Sequence, residues 1–432
     1  MPPLIDQDGS AAQPPSWRAR LGRLMGPGLI TGAADDDPSG IATYSQAGAQ
    51  FGFGIGWTML FTYPLMAAIQ MISARIGRTT GQGIAANLRQ HYSRWLVVVA
   101  VLLLLVANTV NIGADLGAMA DATALVFGGP SLAYLILYAA FCVVAQTLIP
   151  FRRYIQVLKW LTLALLAYVA TLFIVSVPWA TALRDLLLPQ ISWDVEYFAI
   201  IVAVFGTTIS PYLFFWQASE EAEEASPSAG GEALADPAEM GDAEIARIRF
   251  DTLGGMGLSN LVALAIIFTA AATLNPAGIT NIQTSADAAE ALRPLAGELA
   301  SLIFALGIVG TGLLAVPVLA GSAAYALGEA FGWPVGLSRK PAAAKAFYGT
   351  ILVATVVGIA ITFAPVQPIA ALYWAAVLNG VVAVPVMAVM MLICVRPDIM
   401  GRFAVRGPLR WAGWLATAMM ALAVAGMAVT SL

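Results

Sequence analysis

A bilayer-spanning helix needs about 20 consecutive apolar residues, and stretches of that length recur along the whole of this chain. They fall at residues 24–50, 54–76, 95–125, 131–150, 155–178, 196–220, 251–274, 297–328, 344–364, 369–394 and 410–430. Apolar runs this long, separated by short polar loops, point to an all-α polytopic membrane protein with eleven transmembrane helices. The composition agrees. Of the 432 residues, 59% are hydrophobic and only 11% charged, whereas soluble domains carry about 25% charged residues. Residues 1–20 are polar and Pro-rich, so a disordered N-terminus without a cleavable leader is expected. Residues 21–430 are expected to form a single membrane domain.

Lysine and arginine set the orientation, because cytoplasmic loops carry their excess. With the N-terminus in the cytoplasm and the sides alternating, all of the 21 basic residues except Arg184 and Arg293 lie inside. The expected location is the inner (plasma) membrane, with the C-terminus outside. Residues 219–247 are acidic and rich in Ala, Gly and Pro, and are expected to form a flexible cytoplasmic loop. Cys142 and Cys394 lie in apolar runs and read as packing residues. No basic cluster interleaved with aromatics points to nucleic acid, and no obligate protein partner is evident.

Two of the apolar runs are broken in the middle. The first reads GPGLITGAADDDPSGIATYSQAGAQFG over 26–52, and the second FAIIVAVFGTTISPYLFFWQA over 198–218. Matched Gly/Pro interruptions in corresponding segments mark the binding site of inverted-repeat transporters. The expected arrangement is a 5+5 inverted repeat with helices 1 and 6 broken. Repeat one covers about 21–180, repeat two about 195–395, and an extra helix about 410–430. A broken helix leaves orphan carbonyls and amides that protein, water or ligand must satisfy. Near the first break, the carbonyl of Ala34 and the carboxylate of Asp37 are candidate ligands for a hard divalent cation, which prefers oxygen. The alternative is that Asp37 caps the second half-helix. Asp35 and Asp36 are candidate accessory acids. The second break offers the carbonyl of Thr207 and the hydroxyl of Ser210, or else a simple proline kink.

Other polar residues lie inside the spans. Asp115 and Asp121 are candidates for an ion path or for structural hydrogen bonding. Asn108, Asn111, Gln146, Gln217 and Asn260 are expected to make interhelical hydrogen bonds. Asn379 could face the site.

The segment 26–52, the run ARIGRTTGQGIAANLRQHY and the TTISPY break together resemble the natural resistance-associated macrophage protein (Nramp) family of divalent-metal transporters. The resemblance covers most of the chain and implies a LeuT-type fold, with the metal as substrate and no cofactor. Family members carry Asp-Pro-Gly-Asn at the first break, where this chain has Asp37, Pro38, Ser39 and Gly40. They carry Met-Pro-His at the second, where this chain has Ser210, Pro211 and Tyr212. Gln217 stands where the family has a further histidine, and on the third span Asp115 is kept while the glutamate position holds Ala118. Thioether favours softer transition metals, whereas oxygen-only sites suit Mg2+ and Mn2+. The smaller residues also leave room for bound water. The pattern resembles the Nramp-related magnesium transporters. It implies import of partly hydrated Mg2+ and Mn2+ by alternating access without proton coupling, with Asp37, Ala34, Thr207, Ser210 and Gly40 at the ion and Asp35, Asp36, Asp115, Tyr212 and Asn379 accessory. The alternative is the family's proton-coupled import of Mn2+ or Fe2+. Intramembrane aspartates also occur in proteases, but no Gly-x-Gly-Asp pattern supports an enzyme.

Overall fold

The computed structural model describes residues 27–149, 162–225, 238–364 and 366–431, and among these every regular element is helical. The first half comprises α1 (Pro27–Asp35), α2 (Pro38–Phe51), α3 (Trp57–Thr80), α4 (Ile84–His91), α5 (Arg94–Phe127), α6 (Ser131–Leu148) and α7 (Leu166–Thr171). After α8 (Trp179–Leu187), the second half comprises α9 (Val195–Thr208), α10 (Pro211–Glu224), α11 (Ala238–Thr273), α12 (Ala300–Phe331), α13 (Lys345–Ile361) and α14 (Pro368–Cys394). It is followed by α15 (Gly407–Thr430). Segments 1–20, 150–161 and 226–237, which include Arg18, Arg20, Arg152, Arg153 and Lys159, lie outside the described residues.

Eight helical segments among the described residues are long and apolar enough to cross a bilayer. The remaining three of the eleven expected spans behave differently. The first is split between α1 and α2, the fifth is described only from Thr162 onward, and the ninth is the shorter α13, 17 residues long. One boundary is corrected. Residues 219–224 and 238–247, expected in a flexible acidic loop, are helical parts of α10 and α11. Two of their acids are held by arginines: the Glu221 carboxylate is buried and pairs with Arg247 at 2.8 Å, Arg247 also reaches Glu244 at 2.9 Å, and Arg78 approaches Glu244 at 3.4 Å.

The broken helices run through the middle. α9 packs on α14, α10 on α3 and α12, and α11 on both α1 and α2. Helices α6 and α15 lie at the rim. Outward-facing Leu102, Val106, Phe173 and Leu422 are exposed, as suits an apolar belt in lipid. Small residues permit the central contacts. A Cβ on Gly206 would sit 2.1 Å from the Ala376 carbonyl oxygen and 2.5 Å from the Gly380 nitrogen, both backbone atoms that cannot rotate away. Gly206→Val is therefore expected to cost about 1–3 kcal/mol by overpacking, read as a lower unfolding midpoint of the purified protein. An unchanged midpoint would mean that α9 and α14 separate freely.

Candidate functional site

The two breaks are built alike. Asp37 is extended at the N-cap of α2 (φ −71°, ψ 171°), with Pro38 as the first helical residue. Ser210 is likewise extended at the N-cap of α10 (φ −80°, ψ 130°), followed by Pro211. Proline suits this position because its missing N–H would have no intrahelical partner there. The local sequence thus ends each first half-helix and starts the next.

Asp37 is the meeting point of three helices, α2, α5 and α10. Its Oδ1 accepts the Ser39 hydroxyl at 2.6 Å and the Gly40 amide at 2.7 Å. Its Oδ2 accepts Asn111 of α5 and the Tyr212 hydroxyl of α10, each at 3.3 Å. Tyr212 also lies 3.0 Å from the Ala34 carbonyl, so one phenol from the second break spans both ligand candidates of the first. The carboxylate is 1% exposed. The two contacts to Oδ2 are long for hydrogen bonds. Asp37 caps α2 through Oδ1 and keeps Oδ2 toward the partners from the other helices. Capping and ligation therefore use different oxygens and do not exclude each other.

The other candidates are placed as follows. The Ser210 hydroxyl turns back to the carbonyls of Gly206 (2.7 Å) and Thr207 (2.8 Å), away from Asp37. It satisfies the end of its own half-helix. The Thr207 carbonyl is thereby engaged, while the Thr207 hydroxyl is buried without a hydrogen bond. Gly40 contributes its amide. Asp35 and Asp36 are both buried on Ser259 of α11, at 2.6 and 3.0 Å. Asp115, four residues from Asn111 and so on the same face of α5, is fully buried with both carboxylate oxygens unbonded. Asn379 of α14 is also buried with an unbonded amide. Asp121 accepts the Ser285 hydroxyl at 2.6 Å.

Two partners at the first break are not evident from sequence. Asn111 makes the interhelical hydrogen bond expected of it, but its partner is Asp37 itself. Its spacing from Asp115 was the available signal. Ser259 carried none, because it reaches Asp35 and Asp36 from a helix far away in the chain. A thioether is also near: a Cβ on Gly312 would lie 2.4 Å from the Met119 sulfur and 3.2 Å from Pro38 Cγ, so Met119 of α5 packs beside the break. Among the described residues no three acidic, histidine or cysteine side chains converge as a metal cluster.

Two cavities are lined by parts of the broken helices. One, of about 940 Å³, is lined by Ala42, Gln46, Gln50, Glu196, Gln367 and Tyr373, and meets α2 from its second turn onward. The other, of about 290 Å³, lies on the arginine-rich side among Gly83, Arg89, Ser219, Glu223 and Glu329.

Comparisons with known proteins follow this geometry. Residues 28–430 match the family described as natural resistance-associated macrophage protein-like. The divalent metal cation transporter MntH of Yersinia pestis is 30% identical over 302 residues, 67% of this chain and 68% of the relative. The MntH of Acidiphilium cryptum is 26% identical over 401 residues, 90% of this chain and 86% of the relative. Among solved structures, the Eremococcus coleocola manganese transporter superimposes with a TM-score of 0.71 at 16% identity, covering 97% of this chain and 90% of that one. A nucleobase-cation-symport-1 family transporter in a closed conformation gives 0.55 at 15%, covering 94% and 93%. The fold is of the LeuT type, with no enzyme among these relatives. The match across residues 28–430 shows the family: this chain belongs to the natural resistance-associated macrophage protein (Nramp) family.

Proposed function

We propose that the protein imports divalent metal cations, Mg2+ and also Mn2+, across the plasma membrane by alternating access, with the arginine-rich side in the cytoplasm and no proton coupling. The observation that carries this reading is Asp37. It is a buried carboxylate at the junction of two half-helices, and Oδ2 meets only neutral oxygen and nitrogen groups from α5 and α10. One firm negative ligand amid neutral groups suits a hydrated hard ion, since Mg2+ keeps several waters and takes few carboxylates. The driving force is sufficient, because a doubly charged ion gains about 4.6 kcal/mol per 100 mV. The two relatives from Yersinia pestis and Acidiphilium cryptum are named for divalent metal cation transport, which supports the substrate class.

The test is ion uptake into proteoliposomes across a series of Mg2+, Mn2+, Ca2+ and Cd2+. Mg2+ and Mn2+ are expected to be taken up and to compete, with Cd2+ a weak competitor. Strong Cd2+ preference would point to a sulfur ligand and contradict the reading. Met119→Leu sharpens the same test: it keeps the volume beside Pro38 and is expected to leave the selectivity order unchanged.

Asn111 and Tyr212 orient the carboxylate. Replacing either by Ala or Phe, respectively, is expected to weaken apparent ion affinity on the order of 10-fold or more, as loss of groups supporting a metal ligand does. Unchanged half-saturation in both variants would remove them from the site.

A second reading, proton-coupled Mn2+ or Fe2+ import, is favoured by one observation. Asp115 is fully buried with both oxygens unbonded, on the α5 face that also carries Asn111. Metal-driven acidification of the vesicle interior separates the two: the first reading expects none.

A further inference from the structure

Helices α5 and α13 touch where each carries a glycine: a Cβ on Gly113 would sit 2.5 Å from the Gly358 carbonyl oxygen. Beside this crossing opens a cavity of about 570 Å³, walled by Leu105, Val106 and Val110 of α5 and by Gly349, Val353 and Val357 of α13. Val106, Val353 and Val357 are exposed, so the cavity is a groove on the outside of the helix bundle, where the surroundings are lipid. Its two hydroxyls, those of Thr109 and Thr350, turn back to their own helices, to the carbonyls of Leu105 at 2.7 Å and Ala346 at 2.9 Å. Apart from the Trp333 indole, the walls offer a ligand no free polar side chain and suit a hydrocarbon chain. A Cβ on Gly349 would meet no atom within 4 Å, so this stretch of α13 stands over open space.

One end of the groove is cationic. Trp333, a residue type that favours the membrane interface, lines the groove and also borders the cavity that holds Arg89 and Arg339. Arg94 starts α5, Lys345 starts α13, and Arg339 and Lys340 lie just before α13; all four are exposed. Residues 92–114 and 331–364, which supply the two walls and their approaches, contain these four basic residues and no acidic one. No ion pair among the described residues involves them. The carboxylates that share the Arg339 cavity are already engaged: Glu223 accepts the Ser338 amide at 2.8 Å and the Tyr325 hydroxyl at 2.6 Å, and Glu329 accepts the Ser219 hydroxyl at 2.7 Å. With 17 residues, α13 is about 26 Å long, short of the ~30 Å hydrocarbon core. Its Lys345 therefore extends its side chain to reach the headgroups.

We propose that this groove binds a phospholipid with an anionic headgroup, one acyl chain lying between α5 and α13 and the phosphate facing Arg339, Lys340 and Lys345. Basic pockets between membrane helices bind such headgroups, and each basic residue near the surface adds to the attraction. A second copy of this chain is the poorer occupant, because a two-fold contact through this face would set the same four cations against themselves. A zwitterionic lipid fills the groove equally well but gains nothing from the cationic rim. The inference requires only that the chain spans a membrane, and it is independent of which ion Asp37 holds.

The experiment uses the full chain, stripped of lipid in detergent, and follows bound lipid by native mass spectrometry. Phosphatidylglycerol and phosphatidylcholine with the same acyl chains are compared. Saturable binding of phosphatidylglycerol is expected, on the order of 10- to 100-fold tighter than that of phosphatidylcholine. Replacing Arg339, Lys340 and Lys345 together by Gln should erase the preference. Gly349→Leu fills the groove and should weaken phosphatidylglycerol binding on the order of 10-fold. Gly254→Leu, in equally open space on α11, should leave it unchanged. Leucine favours a helix over glycine, so neither substitution is expected to lower the unfolding midpoint. The proposal is overturned if the two lipids bind equally, if Gly349→Leu leaves binding unchanged, or if the stripped chain forms a dimer that Gly349→Leu disrupts.

Discussion

Asp37→Ala is expected to lower divalent-ion uptake into proteoliposomes by about 100-fold, the equivalent of roughly 3 kcal/mol, the upper range for an interaction with a charged group. The alanine variant alone leaves an ambiguity, because Asp37 also caps α2 through the Gly40 amide. Loss of an N-cap costs about 1 kcal/mol by itself. Asp37→Asn separates the roles, since asparagine caps as well as aspartate. The uncharged amide should therefore restore the unfolding midpoint but not uptake. Uptake in the asparagine variant close to that of the unaltered chain would show that the residue is only a cap, and the transport assignment would fall.

The second large effect is expected on stability. Glu221 is fully buried and pairs with Arg247, which is itself 19% exposed. Glu221→Gln leaves Arg247 on Glu244 at 2.9 Å, so its cost is that of one charged hydrogen bond, about 1.5–3 kcal/mol. Arg247→Met instead strands the buried Glu221 carboxylate, at a cost of about 3–5 kcal/mol, and should lower the unfolding midpoint more than Gly206→Val does. The double variant Arg247→Met with Glu221→Gln should recover part of that loss, because no buried charge then remains. Equal stability of the Arg247→Met variant and the unaltered chain would show that the pair is solvated and contributes nothing. The same network joins the ends of α3, α10 and α11, so the expected loss is cooperative rather than confined to one helix.

The breaks were legible because their signal is local. Proline at the first helical position after an Asp or Ser cap reads the same in sequence and in structure, at Asp37-Pro38 and at Ser210-Pro211. The connector was misjudged for a related reason. Residues 219–224 and 238–247 are acidic and Ala-rich, a composition that fits both a solvated loop and a helix, and only the burial of Glu221 against Arg247 distinguishes them. The partner of Asp35 and Asp36 was not legible, because a run of three aspartates says nothing about which neighbour each one faces.

The sequence by itself determined the class of this protein. Apolar length requires helices across a bilayer, and Pro, Gly and Asp locate the two interruptions. All of these act within a few residues of chain. The tertiary structure decided the side-chain partnerships at the first break. Tyr212 joins Asp37 across 175 residues, Asn111 joins it across 74, and Ser259 reaches Asp35 across 224. Hydrogen bonds of about 3 Å depend on how helices pack, and packing sums contributions from the whole core that no local pattern encodes.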